Sequence, residues 1–299
     1  MILQPEHENK LTEIMQRVRR MELKMLGLVK ESLGGNYHSK FKGQGLEFDD
    51  IREYQAGDDV RFLDWNVTAR LNEPYIRKYI EERELNVSLI VDISGSTSYG
   101  SQAEVKRHYI AELCATFAFS AERNNDKVSL ILCSDLIEHY LPPKKGHRHS
   151  LRLLRDVLFI QPQSPQTDLV PALELASQRL PHRSLVIIIS DFITPTPHFE
   201  KRLKALASQH DILCIQITDP SEWTLPPCGR LLMQDPESGN IGIINTSSPA
   251  LRQYYLSTIT NQQNQLIETF KRSNVSHLHL QTNEEILTKV QAYLRNRQH

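Results

Sequence analysis

Cysteine is scarce in this chain of 299 residues: Cys114, Cys133, Cys214 and Cys228 are the four, and they stand far apart. Such spacing excludes a disulfide framework and a paired-cysteine zinc site. The first three fall in apolar segments, where a thiol serves as a small buried hydrophobe. Charge of either sign is without excess, since 35 Lys and Arg face 36 Asp and Glu for a net charge of -1. No global basic field is left to attract nucleic acid or a membrane surface. Long hydrophobic runs are also missing; none reaches the roughly 20 residues of a membrane-spanning helix. The start, Met1-Ile2-Leu3-Gln4-Pro5-Glu6, lacks the basic and apolar regions of a signal peptide. Together these absences predict a cytoplasmic location, no nucleic-acid partner and no membrane insertion. No Gly-x-x-x-x-Gly-Lys-Ser/Thr loop, no Gly-x-Gly-x-x-Gly after a strand and no Gly-x-Ser-x-Gly elbow occurs. Nucleotide hydrolysis and serine-elbow chemistry therefore have no carrier. His108, His139, His147, His149, His182 and His198 share no ligand spacing and read as surface residues.

Hydrophobic content of 39% with 24% charged residues is ordinary for a folded chain, and the length allows one large domain or two. Residues 8 to 33 place Leu11, Ile14, Val18, Met21, Met25 and Val29 at steps of three or four, which predicts an amphipathic helix stopped by Gly34-Gly35. Residues 36 to 84 are polar, with eleven acids and six bases between Glu47 and Glu84, yet Phe41, Phe48, Tyr54, Phe62, Trp65, Tyr75 and Tyr79 recur through them. Disordered tracts are poor in aromatics, so short strands and turns are expected here. Arg52, Arg61 and Arg70 lie among Asp49, Asp50, Asp58, Asp59 and Asp64, which predicts internal ion pairs, and Trp65 reads as a packing anchor.

From residue 85 apolar strands alternate with amphipathic helices. Strands are expected at Leu85 to Val91, Val128 to Cys133, Leu185 to Ile189, Ile212 to Ile217 and Val275 to Leu280, with a short edge strand Ile137 to Leu141 ended by Pro142-Pro143. The unbroken run Leu185-Val186-Ile187-Ile188-Ile189 suits a central strand covered on both faces. Alternation of this kind predicts a doubly wound, mostly parallel α/β sheet. Around residues 226 to 246 a β-hairpin interrupts the rhythm, and a helix from Pro249 to Arg272 resumes it. The expected organisation is an amino-terminal extension over residues 1–84 packed on an α/β domain over 85–299.

Three polar clusters end predicted strands or open helices: Asp92-Ile93-Ser94-Gly95-Ser96, Gln166-Thr167-Asp168-Leu169 and Ser190-Asp191. In a doubly wound sheet those ends converge on one rim. Carboxylates and hydroxyls are hard donors that suit Mg²⁺ or Mn²⁺. Asp168 is the expected cap of the helix that follows it. The set Asp92, Ser94, Ser96, Thr167 and Asp191 resembles, in order and placement, the metal-ion-dependent adhesion site of von Willebrand factor A domains. That resemblance implies direct coordination by Ser94, Ser96 and Thr167, with Asp92 and Asp191 acting largely through water.

A second motif, Gly45-Leu46-Glu47-Phe48-Asp49-Asp50-Ile51-Arg52-Glu53-Tyr54-Gln55-Ala56-Gly57-Asp58-Asp59-Val60-Arg61-Phe62-Leu63-Asp64-Trp65-Asn66, resembles the signature of the bacterial domain-of-unknown-function 58 family. Members of that family couple such a segment to an A-type domain and resemble partners of MoxR-type AAA+ ATPases. The resemblance implies a non-enzymatic adaptor that offers a metal ion to an acidic residue of a partner protein. Two alternatives stay open: a divalent-metal-dependent phosphohydrolase, and a structural scaffold whose rim holds no metal. A haloacid-dehalogenase type of phosphatase would need a second aspartate where Ser94 stands.

Overall fold

The structure, a computed structural model, describes residues 47–55, 58–59, 63–71, 73–80, 84–98, 106–193, 197–235, 237 and 239–296. The helix read over residues 8 to 33, and part of the charged signature, lie outside them. The described residues fall into two compact units, one within 38–84 and one from Leu85 onward.

In the smaller unit β1 (Glu47–Glu53) pairs antiparallel with β2 (Tyr75–Ile80), and α1 (Trp65–Leu71) lies between them in sequence. The Asp64 carboxylate starts α1 by accepting the amides of Asn66 at 3.0 Å and Val67 at 3.2 Å. Expected ion pairing takes the form of a two-bonded Arg52–Asp58 pair, both contacts 2.7 Å, on a solvent-facing turn. Trp65 does not anchor packing as expected, since it is 71% exposed. The seven-residue α1 buries none of its residues, so it has no apolar face for an indole to cover.

The larger unit is built on six strands: β3 (Asn86–Asp92), β4 (Lys127–Cys133), β5 (Ile137–Lys144), β6 (Leu185–Ser190), β7 (Asp211–Thr218) and β10 (Ser276–Gln281). Their order across the sheet is β10-β7-β6-β3-β4-β5, parallel throughout except for β5. All six residues of β6 are buried, as a strand flanked on both edges and covered on both faces requires. On one face Ile90, Ile131, Val186 and Ile188 pack under Leu173 and Ala176 of α4 (Val170–Arg179), Leu203 and Leu206 of α5 (Pro197–Ala207), and Leu266 and Phe270 of α6 (Pro249–Arg272). The other face is covered by α2 (Lys106–Arg123), which also touches α3 (His147–Phe159) and α7 (Ile286–Asn296). Because neighbours surround it, α2 is buried nearly all round, with Tyr109, Leu113, Cys114, Phe117 and Ala118 inside. Arg107 of α2 gives its guanidinium to the carbonyls of Val157 and Ile160, the end of α3 where a cation complements the helix dipole.

Sequence and structure differ at two points here. Strand β5 does not stop at Pro142-Pro143 but runs to Lys144, because an edge strand has an unpaired side on which proline's missing N–H costs no ladder bond. His149 is not a surface residue: it is 9% exposed, with Nε2 2.8 Å from the Val128 carbonyl. The hairpin is present as β8 (Arg230–Gln234) and β9 (Ile241–Asn245), a separate two-stranded sheet. Thr246 pins its base by accepting the Cys228 amide at 3.1 Å and donating to the Gly229 carbonyl at 2.9 Å.

Candidate functional site

The chain enters the large sheet at its centre, leaves β3 towards β4, and returns to lay β6 against the opposite edge of β3. Connections from β3 and β6 therefore diverge, opening the crevice in which doubly wound sheets bind ligands. Asp92 is the last residue of β3, and Asp191 directly follows β6. Both carboxylates sit at that crevice because the register aligns Val91 with Ile189.

Asp92 is fully buried. Its Oδ1 accepts the Ser94 amide at 2.9 Å and its Oδ2 accepts the Ser190 hydroxyl at 2.7 Å, so the carboxylate is held from both strands. Burial first, and the charge of Asp191 second, push its pKa up to about 6. Both causes weigh against the charged form of this carboxylate. Ser94 and Ser96 are buried with their hydroxyl oxygens 3.3 Å apart, and Thr97 ties the turn by donating to the Ser94 carbonyl at 2.8 Å. The threonine loop is stitched to the same rim. Gly95 donates its amide to the Pro165 carbonyl at 2.9 Å, and Asp168 donates its amide to the Ser134 carbonyl at 3.1 Å. The Asp168 side chain accepts the Val170 amide at 2.9 Å and starts α4, the role expected of it. All five residues singled out in the sequence lie at the crevice mouth, on three separate segments.

Two further residues at the rim, Lys106 and Glu237, were not singled out, and Ser190 was named only as the neighbour of Asp191. Lys106 is 1% exposed, with Nζ 2.5 Å from Glu222 Oε1 and 3.4 Å from Asp191 Oδ2. Burial alone would lower the pKa of this ammonium, yet the two carboxylates leave it raised. Ser190 orients Asp92, and its place just before Asp191 was the signal that could have found it. Glu237, in the turn of the β8–β9 hairpin, accepts the Thr167 hydroxyl at 2.8 Å, and both burial and Asp191 raise its pKa. Nothing in the local sequence joins Lys106 or Glu237 to the site. Beside Asp191 a cleft of about 370 Å³ opens between Gln216, Trp223, Tyr255 and Gln263.

These donors fit a small divalent ion. Among the described residues no three His, Cys, Asp or Glu side chains form a metal cluster, so a cation here would rest on hydroxyls backed by two carboxylates. Such a hard-oxygen set suits Mg²⁺ or Mn²⁺.

Residues 50–265 match the family described as "Protein of unknown function DUF58". Over 283 residues the chain is 29% identical to "Uncharacterized protein Rv1480" of Mycobacterium tuberculosis, covering 94% of this chain and 88% of that protein. "Uncharacterized protein MAV169" of Mycobacterium avium is 25% identical over 158 residues, 52% of this chain and 92% of that one. Among solved structures, "conserved hypothetical protein BatB from Bacteroides thetaiotaomicron" superposes with a TM-score of 0.48 at 15% identity, covering 71% of this chain and 98% of that one. A "von Willebrand factor type A" structure from Catenulispora acidiphila gives 0.38 at 14%, covering 61% and 42%.

Proposed function

We propose that this chain, which belongs to the DUF58 family, is a non-enzymatic adaptor whose rim holds Mg²⁺ or Mn²⁺ and through it grips an acidic residue of a partner protein. The α/β unit has the von Willebrand factor A-like arrangement, a mostly parallel sheet with one antiparallel edge strand. The observation that carries the functional reading is the convergence of Ser94, Ser96 and Thr167 with Asp92 and Asp191 at the crevice between β3 and β6. When bound, the ion supplies an electrophilic centre for a carboxylate. Ser94, Ser96 and Thr167 would hold it directly. Asp92, fixed by Ser94 and Ser190, and Asp191, fixed by Lys106, would supply charge from behind. The cleft beside Asp191 gives room for chain flanking the partner's acidic residue.

Two observations support an adaptor over a hydrolase. Asp92 and Thr97 bind the Ser94 backbone and Ser96 lies 3.3 Å from its hydroxyl, so among the described residues these partners include no histidine to take its proton. Asp92 is held by two hydrogen bonds inside the fold, where it can orient other groups but has no open face for a substrate phosphate. The family resemblance supports a MoxR-type AAA+ ATPase as partner, in the assembly or activation of a target complex. The free cysteines support a cytoplasmic setting. Among the described residues no helix is long and apolar enough to cross a membrane.

The test is calorimetric titration of Mg²⁺ and Mn²⁺ into the wild type and Ser94→Ala, paired with capture of partners from the source cell with and without chelator. Ser94→Ala should lose metal affinity and metal-dependent capture while keeping its fold. Equal metal binding by the two proteins would overturn the assignment.

A further inference from the structure

The hydroxyl of Thr167, one of the three residues assigned to hold the ion, is engaged by a carboxylate of the chain itself. Thr167 Oγ1 donates to Glu237 Oε1 at 2.8 Å, a contact that spans 70 residues of sequence. Glu237 comes from the β8–β9 hairpin, which is not part of the large sheet. Its turn is closed by the Asp235 amide on the Asn240 carbonyl and the Gly239 amide on the Asp235 carbonyl, both 2.9 Å, with Gly239 at φ 72. That positive φ suits glycine, and it lets the chain fold back within the turn. The Asp235 carboxylate also accepts the Glu237 amide at 3.1 Å, fixing the backbone from which the Glu237 side chain leaves. The turn is therefore shaped to present one acid at the threonine loop.

Electrostatics argue that this acid is aimed at a cation. Glu237 lies within range of Asp191, which in turn faces Asp92. The buried Lys106 ammonium is shared between Asp191 and Glu222. Glu237 thus brings a further carboxylate towards Asp191, whose ammonium partner is already shared with Glu222. A solvent-facing hairpin has no reason to add a further negative charge there unless a cation offsets it, because like charges at close quarters repel.

We infer that Glu237 is the internal acidic ligand of the rim: it takes the place beside Thr167 that a partner's carboxylate would otherwise occupy, so that a partner binds by displacing it. The inference rests on the metal-dependent reading above. It assigns the hairpin a role in the site, in which the loop caps the ion until a competing acid arrives.

The test is Mn²⁺ titration of the full chain, read by electron paramagnetic resonance for affinity and by water-proton relaxation for the number of waters on the ion, with wild type, Ser94→Ala and Glu237→Gln compared. Glu237→Gln should still bind Mn²⁺, on the order of tenfold more weakly for the loss of one charged ligand, and its bound ion should carry more exchangeable water than in the wild type. A short peptide with a central glutamate should bind the Mn²⁺-loaded Glu237→Gln protein more tightly than the loaded wild type. If the wild type and Ser94→Ala bind Mn²⁺ alike, or neither binds, the metal reading falls and this inference with it. If Ser94→Ala loses Mn²⁺ while Glu237→Gln matches the wild type in affinity and water number, the metal reading stands and the role of Glu237 is overturned.

Discussion

Lys106→Met should destabilise the α/β unit by about 3 kcal/mol, a figure that follows from what the ammonium touches. Methionine keeps much of the length and volume of the stem and removes the charge. In the wild type Nζ lies 2.5 Å from Glu222 and 3.4 Å from Asp191, with the lysine side chain 1% exposed, Asp191 3% and Glu222 25%. Removing one member of a buried ion pair costs about 3–5 kcal/mol, because the partner keeps its desolvation penalty without its attraction. Glu222 can rehydrate through its exposed quarter, which favours the low end of that range. For a unit of this size each kcal/mol moves the melting temperature by about 2–4 °C, so the expected drop is about 6–12 °C. The assay is urea and thermal unfolding of the metal-free protein in chelator. Adding Glu222→Gln to Lys106→Met should recover part of the loss, because neutralising one carboxylate relieves the repulsion left behind. Mg²⁺ should raise the melting temperature of Lys106→Met more than that of the wild type, since the variant has one more charge to offset. A drop below about 1 kcal/mol would refute the claim that the ammonium holds these carboxylates together.

Two further perturbations probe the fold that supports the rim. Burial, with the charge of His279 adding to it, pushes the His277 pKa down to about 4. A depressed histidine stabilises the native state above its unfolded pKa of about 6.5 and loses that contribution as pH falls towards 4, at most about 3 kcal/mol, less because the ring is partly exposed. His277→Leu should therefore flatten the acid side of the stability curve in denaturant titrations at pH 7, 6 and 5, and an unchanged slope would rule the histidine out. Phe270 is 1% exposed, edge-on to Phe192 at 5.2 Å and 4.8 Å from the His277 ring. Phe270→Ala should cost about 3–5 kcal/mol and weaken the acid sensitivity of His277 by letting water into the cavity; a loss under about 1 kcal/mol would mean that the cluster repacks.

The sheet was legible because period and composition report on it directly. The apolar run Leu185-Val186-Ile187-Ile188-Ile189, β-branched from Val186 on, has few ways to be satisfied other than at the centre of a parallel sheet, and all of β6 (Leu185–Ser190) is buried there. The helix from Pro249 to Arg272 was read to the residue, since Ser248 before Pro249 and the basic pair Lys271-Arg272 mark its ends. Strand β5 was cut short because proline was treated as a stop, whereas its cost depends on whether a neighbour needs the N–H. Trp65 was misread for a related reason: indole favours burial on average, but α1 provides no face against which to bury it. Asp92, Ser94, Ser96 and Asp191 were legible because the strand ends that carry them can be found by pattern, and topology then converges them.

The same logic explains why Lys106 and Glu237 were not legible, and why both matter for the rim. Each acts across a distance that no local pattern encodes: Lys106 reaches Asp191 85 residues on, and Glu237 meets Thr167 70 residues back. They are also of opposite sign. Lys106 is a cation fixed between Asp191 and Glu222, and Glu237 is an anion brought to Thr167 by the hairpin. The Lys106–Asp191 contact holds Asp191 at the crevice in the metal-free chain. On the reading proposed above, the rim is then preformed for a divalent ion, and its affinity for an external acid would be set by how firmly the hairpin keeps Glu237 on Thr167.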